Sequence, residues 1–175
     1  SLKQMLDEFS KFARLPVPQM TRQSLHDVVR EVITLYREAQ KDIELIVELD
    51  EDLPAINFDR EQLRRVFVNL FDNAVQAMNQ KGRLWVGTKY DTKRRRAVVA
   101  VADEGPGITP EDQERLFVPY FTRKKTGTGL GLAIVRRIVV ATSWLSCTAP
   151  WMPVMFATSM RQASSACAPS HLATT

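Results

Sequence analysis

A single amphipathic segment sets the first constraint on this chain. Leu63, Val66, Phe67, Leu70, Ala74, Ala77 and Met78 recur at steps of three and four and form one apolar stripe, the mark of a helix that must lay that face against other elements. Asp59 is placed to cap it. Gln62, three residues on, is placed to reach back and complete a variant of the capping box. Beside the apolar stripe, Asn69, Asn73, Gln76 and Gln80 fall at steps of four, three and four, so a row of amide side chains borders the core. An amide offers a neutral oxygen, and Mg2+ takes oxygen ligands while borrowing others from substrate phosphates. An Asn pair alone is more simply read as two solvated surface residues. Two further blocks reverse that reading.

The first is Ala97-Val98-Val99-Ala100-Val101-Ala102, a short β-branched run consistent with a buried strand. It ends in Asp103, followed by Glu104-Gly105-Pro106-Gly107. Glycines on either side of a proline turn the backbone sharply and leave room for a flat group against the main chain. A carboxylate there can accept a hydrogen bond from an exocyclic amine such as that of adenine. The second is Thr126-Gly127-Thr128-Gly129-Leu130-Gly131-Leu132, which leads into the helical run to Ile138. Backbone N–H groups of such a loop, and of the helix start behind it, can surround phosphate oxygens. No Gly-Lys-Ser/Thr follows, so this is not a Walker A loop. Leu132 stands where a dinucleotide fingerprint needs its third glycine. Read together, the three blocks predict a nucleotide pocket.

These blocks resemble the signature of sensor histidine kinases. Asn69-Leu70-Phe71-Asp72-Asn73-Ala74 resembles their N box, and Asp103 to Ile108 their first glycine box. Leu116-Phe117-Val118-Pro119-Tyr120-Phe121 resembles the F box, and Gly127 to Leu132 the second glycine box. Order and spacing agree, and the resemblance covers about residues 1 to 140. Asp7 to Pro16 is similar to the end of the dimerisation helix of nitrogen-regulation kinases. The resemblance implies an α/β fold, the two-layer Bergerat sandwich of a mixed sheet packed on helices, shared with gyrase, the heat-shock chaperone ATPase and the mismatch-repair protein MutL.

Carried over residue by residue, it implies ATP and Mg2+ as cofactors, with Asn69 and Asn73 contacting metal and phosphate and Asp103 selecting adenine. Gly105, Gly107 and Ile108 would line the base. Phe117 and Phe121 would border the nucleotide from the F box, and Gly127, Thr128, Gly129, Leu130 and Gly131 would pack against the phosphates. Residues 108 to 126 would form a mobile lid carrying the basic cluster Arg123-Lys124-Lys125, with Lys124 reaching the γ-phosphate. Asn69 and Lys124 are the residues implied for catalysis. The implied partners are the dimerisation and phosphoacceptor domain of the same kinase, a homodimer in the full-length protein, and a response regulator. The implied setting is a cytoplasmic domain of an inner-membrane-anchored sensor.

The organisation predicted is an end of the dimerisation helix and linker over 1–19, the catalytic domain over 20–140, and an atypical tail over 141–175. Residues 1 to 14 are expected to be helical until Pro16 and Pro18 intervene. A second helix is expected from about Ser24, carrying Leu25, Val28, Val29, Val32, Ile33 and Tyr36, then strands at Ile43 to Leu49 and Ala55 to Phe58. The basic run Lys93-Arg94-Arg95-Arg96 lies between strand-like segments Arg83 to Asp91 and Ala97 to Asp103, and is a hairpin tip rather than a nucleic-acid site, since no aromatics interleave it. Hydrophobic residues at 45%, charged residues at 25% and a net charge of +4 are ordinary globular usage.

His26 and His171 are the only histidines. His26 lies at the start of the second helix, the wrong place for a phosphoacceptor, and is assigned a structural or surface role. From Ile138 to Thr175 the only Lys, Arg, Asp or Glu is Arg161, and both cysteines, Cys147 and Cys167, fall here. Two cysteines support neither a disulfide framework nor a metal site. The closing hairpin that the family places after this helix has no counterpart, which motivates an altered reading frame or truncated gene as the tail's origin. The prolines, serines and threonines of Ile138 to Met160 argue against a membrane span, and no targeting peptide is evident.

The function expected is the ATP-binding catalytic domain of a two-component sensor kinase, transferring the γ-phosphoryl of ATP to a histidine outside this chain. The alternatives are a non-catalytic nucleotide-binding or interaction module, or a Bergerat ATPase. The ATPases normally carry an acidic base one turn before the metal-binding Asn, where this chain has Asn69.

Overall fold

The computed structural model describes residues 16–93, 96–124 and 127–145. The helix predicted over residues 1 to 14, Arg94 and Arg95 of the basic run, Lys125 and Thr126, and the tail from 146 onward lie outside the described residues. Strand β1 spans Thr21–Gln23, helix α1 Leu25–Ala39, β2 Ile43–Glu48, β3 Ile56–Phe58, α2 Arg60–Ala77, β4 Gly82–Asp91 and β5 Arg96–Asp103. Two helices follow, the short α3 at Pro110–Arg115 and α4 at Gly131–Leu145.

The strands form a mixed sheet in the order β2-β4-β5, and β1 pairs antiparallel with β3 in a separate two-stranded sheet. β4 runs parallel to β2 and antiparallel to β5, its register placing Leu84 opposite Asp103 and Val86 opposite Val101. Asp91 pairs with Arg96, so β4 and β5 form an antiparallel pair whose last described partners flank the basic run.

Side chains alternate across the sheet with the period of two that a strand dictates. Leu84, Val86, Val99 and Val101 face one way into the main core, with Leu25, Val28 and Val32 of α1, Val66, Phe67, Leu70 and Phe71 of α2 and Ile134, Val135 and Ile138 of α4. Trp85, Ala100 and Ala102, with Ile46 beside them, form a smaller cluster. Helices on one face of a mixed sheet make this the two-layer α/β sandwich that was predicted. Each fully buried Val, Leu or Phe contributes roughly 1.5–3 kcal/mol before the entropy of ordering it is counted.

Helix α2 is the centre of this arrangement, because it packs on α1, on α4 and on β5. Asp59 caps it as expected, its Oδ1 accepting from the Gln62 N–H at 2.9 Å. The reciprocal half of the capping box is absent. Gln62 Nε2 donates instead to the Pro16 carbonyl at 3.1 Å, while Asp59 Oδ2 accepts from the Gln19 N–H at 2.7 Å. A buried amide needs a partner, and the incoming linker supplies it, which ties residues 16–19 to the start of α2.

The polar stripe is also shorter than predicted. The helix ends at Ala77, and Asn79 and Gln80 turn into the left-handed region at φ 53 and 64, so Gln80 leaves the face that Asn69, Asn73 and Gln76 share.

Candidate functional site

Asn69 and Asn73 project from α2 next to the start of α4. Asn69 Nδ2 donates to the Arg65 carbonyl at 2.8 Å, which leaves its Oδ1 on the side of Gly131. A Cβ built on Gly131 would lie 3.0 Å from Asn69 Oδ1 and 3.6 Å from Asn73 Nδ2. Gly131, the first residue of α4, therefore rests against both amides, and the first and third sequence blocks are in contact.

Asn73 Oδ1 accepts from Lys124 Nζ at 3.1 Å, and Gln76 Oε1 accepts from the same ammonium at 2.9 Å. Burial lowers the pKa of Lys124, and the negative charges of Asp72 and Asp103 oppose that effect. The long apolar stem of this lysine carries one positive charge to the amide row across 51 residues of sequence.

Asp103 ends β5 and is buried, at 7% exposure. Its Oδ1 accepts from the Gly105 N–H at 2.8 Å. Burial raises the pKa of this carboxyl, and the Gly105 bond and the charge of Lys124 partly offset the rise. A Cβ on Gly105 would fall 2.6 Å from Asp103 Oδ1 and 2.9 Å from the Cβ of Ala77, so the turn packs directly on the last residue of α2. The second block meets the same helix one turn beyond Asn73.

Gly107 adopts φ 77, the left-handed region where a Cβ is costly. Ile108 is half-buried, and its carbonyl accepts from Gln113 Nε2 at 3.4 Å. The stretch beyond it is ordered by three local devices rather than being bare loop. Thr109 caps α3 through Oγ1 and the Asp112 N–H, Arg123 makes a two-pronged ion pair with Asp112, and the Arg115 guanidinium lies 4.6 Å over the Phe121 ring. Phe117 is half-buried in the same stretch.

The glycine loop packs back on this segment. Gly127 packs closely there, because a Cβ would approach Thr122 Oγ1 to 2.8 Å and displace it. Gly129 has φ 68, and its carbonyl accepts from the Tyr120 N–H at 3.0 Å. Thr128 is half-buried between them, and Leu130 is buried in the main core and anchors the loop.

All three blocks thus converge on one side of α2, through Gly131 at Asn69 and Asn73, Lys124 at Asn73, and Gly105 at Ala77. Two pairings of residues named from sequence were not foreseen, that of Gln76 with Lys124 and that of Tyr36 with Asp72. The Tyr36 hydroxyl donates to Asp72, with the Val68 carbonyl 3.2 Å away, and the Tyr36 ring meets Phe71 edge-on at 5.1 Å. Gln76 was legible through its spacing from Asn73. Tyr36 was not, because its apolar ring fits the core stripe of α1 and nothing local names its partner.

His26, given a structural or surface role from sequence, joins α1 to β4. Its Nε2 lies 3.0 Å from Thr88 Oγ1, and that oxygen accepts from the Asp50 N–H at 2.9 Å. Among the described residues, no group of three or more His, Cys, Asp or Glu could hold a metal by itself. The Asn pair offers neutral oxygens instead, and a cation, the Lys124 ammonium, already rests on one of them. This donor set fits Mg2+ carried in by phosphates. No helix among the described residues is long and apolar enough to cross a membrane.

Residues 58–151 match the family model described as "Histidine kinase-, DNA gyrase B-, and HSP90-like ATPase". The chain is 36% identical over 143 residues to the signal transduction histidine-protein kinase AtoS of Escherichia coli K12, covering 81% of this chain and 23% of that protein. It is 32% identical over 140 residues to the nitrogen regulation protein NtrY of Azorhizobium caulinodans, covering 77% of this chain and 18% of that one. The chain therefore spans less than a quarter of the length of these relatives. The crystal structure of full-length ShkA in complex with AMPPNP superposes with a TM-score of 0.67 at 29% identity, over 80% of this chain and 31% of that one.

Proposed function

The chain belongs to the histidine kinase-, DNA gyrase B- and HSP90-like ATPase family, within it to the sensor histidine kinases, and on that premise we propose that it binds ATP with Mg2+ and supplies the phosphoryl-transfer half of a two-component kinase. The observation that carries this reading is the convergence of Asn69, Asn73, Lys124, Gly131 and Asp103 around one end of α2.

Asp103 selects the base. Its buried carboxylate is held in place by the Gly105 N–H and keeps a second oxygen with which to accept from an exocyclic amine. Gly105, Gly107 and Ile108 leave the base room to lie against the backbone. Gly127, Gly129 and Gly131 bring main-chain N–H groups near the triphosphate, next to the N-terminus of α4. Asn69 and Asn73 hold the metal through their side-chain oxygens. Bound there, Mg2+ neutralises charge on the phosphate oxygens. Lys124 reaches the γ-phosphate and stabilises the charge on the transferring group. Phosphoryl transfer asks mainly for such positioning and charge neutralisation.

The acceptor is a histidine on the dimerisation domain of the same kinase, in a homodimer, and the phosphoryl group passes on to a response regulator. The names of AtoS and NtrY support this signalling role, with nitrogen regulation as the finer assignment and an inner-membrane-anchored parent as its setting. His26 is not the acceptor, since it is engaged with Thr88 and is half-buried. Asn69 occupies the place where an ATPase of this fold carries its acidic base, which favours a kinase over a hydrolase.

The test is transfer in trans. The chain is mixed with a separately produced dimerisation domain of a nitrogen-regulation kinase and ATP labelled at the γ-phosphate. Base-stable, acid-labile label on the histidine supports the kinase reading. Nucleotide binding without label on the domain leaves a binding module.

A further inference from the structure

The contact between Lys124 and the amide row has a consequence beyond catalysis. Lys124 Nζ sits on Asn73 Oδ1, one of the two oxygens assigned to the metal, and on Gln76 Oε1, which has no part in the assigned site. We propose that Lys124 is an internal occupant of the ligand-free nucleotide site, and that Gln76 is the positioning residue that latches it there. This rests on the nucleotide-site reading above.

The latch follows from the geometry. An ammonium and a divalent ion do not share one amide oxygen at contact distance, since like charges that close repel. Nucleotide-borne Mg2+ therefore gains Asn73 Oδ1 only after Lys124 leaves it. Gln76, one turn beyond Asn73, gives the ammonium a second acceptor and so favours the docked arrangement.

The segment carrying Lys124 is braced for this position. Arg123, the preceding residue, is fixed to Asp112 through both guanidinium prongs, and the Lys124 N–H donates to Thr122 Oγ1 at 3.0 Å. Docking thus comes from a preorganised segment rather than from a free side chain. The apparent affinity for the metal-nucleotide complex is reduced by the fraction of molecules in which Lys124 is docked.

Gln76 is exposed, so its variants fold. In nucleotide-free protein, Gln76→Ala frees Lys124 and speeds tryptic cleavage after Lys124 by about two- to tenfold, the weight of one hydrogen bond at an accessible position. Gln76→Glu sets a carboxylate beside the ammonium and slows it. A calorimetric titration with AMPPNP and Mg2+ then gives a tighter Kd for Gln76→Ala by a similar factor, because less of the protein is self-occupied. A residue that merely touched phosphate would weaken binding when truncated and would leave cleavage of the empty protein unchanged. Either of those results overturns the latch while leaving nucleotide binding intact. Wild-type protein that binds no nucleotide at all overturns both the latch and the function on which it rests.

Discussion

Asp103 and Gly105 form a closed pair at the end of β5, the Gly105 N–H donating to Asp103 Oδ1 at 2.8 Å while the glycine leaves no space for a side chain between that carboxylate and Ala77. The pair holds a buried negative charge ready for a ligand in a place where burial disfavours it.

That burial has a measurable cost in the ligand-free state. Asp103 has its pKa raised on folding, so the folded chain binds its proton more tightly than the unfolded chain does. Its ionisation therefore removes stability as pH rises from the ordinary carboxylate value through the raised one. Asp103→Asn keeps an acceptor for the Gly105 N–H and removes the charge. The expected outcome is a ligand-free melting temperature at pH 7 equal to or above that of wild type, read by thermal denaturation.

Gly129 tests the loop that faces the phosphates. Its φ of 68 and the 2.5 Å separation between a built Cβ and the Tyr120 carbonyl carbon leave no accommodation without moving backbone. Gly129→Ala is expected to lose about 1–3 kcal/mol of stability in urea denaturation. It should also weaken AMPPNP binding, because the displaced strand of loop carries Lys124 and Gly131.

Tyr36 tests the tie between α1 and the amide helix. Tyr36→Phe keeps the ring against Phe71 and removes the hydroxyl that donates to Asp72. Asp72 is exposed and regains water, so the expected loss is only about 1 kcal/mol by urea denaturation.

His26 gives a pH signature. Burial foremost, then the charge of Arg30, lower its pKa, and Asp50 and Asp27 oppose them. The unfolded chain therefore takes up the proton first, near pH 6.5, and stability falls as pH drops through that value toward the lower folded pKa. His26→Gln, which has no titrating group, should flatten the fall in melting temperature between pH 7.5 and pH 5.5 relative to wild type.

Much of this architecture was written in periodicity. The stripe from Leu63 to Met78 placed α2, and the β-branched run ending at Asp103 placed β5, because helix and strand periods are local properties of the chain. The three blocks also declared their meeting, since each carries residue types that are costly or idle when isolated. What stayed hidden was set by distant partners. Gln62 abandoned the capping box for the Pro16 carbonyl, 46 residues away, and no local pattern weighs that alternative. Helix α3 fell inside the segment expected as a mobile lid and was not foreseen, although Thr109-Pro110-Glu111-Asp112 holds a cap, a first-turn proline and two acids. Its six residues, none of them buried, gave no apolar stripe. β1 has three residues and depends wholly on its pairing with β3.

The central claim is that Asn69, Asn73, Asp103 and the glycine loop jointly grip adenine and magnesium-bound phosphates. Calorimetry with AMPPNP and Mg2+ on this chain and on Asp103→Ala tests it most directly. The account predicts saturable one-to-one binding by the wild-type chain, abolished in the variant while its fold is retained. Equal binding by both proteins, or none by the wild type, would contradict it.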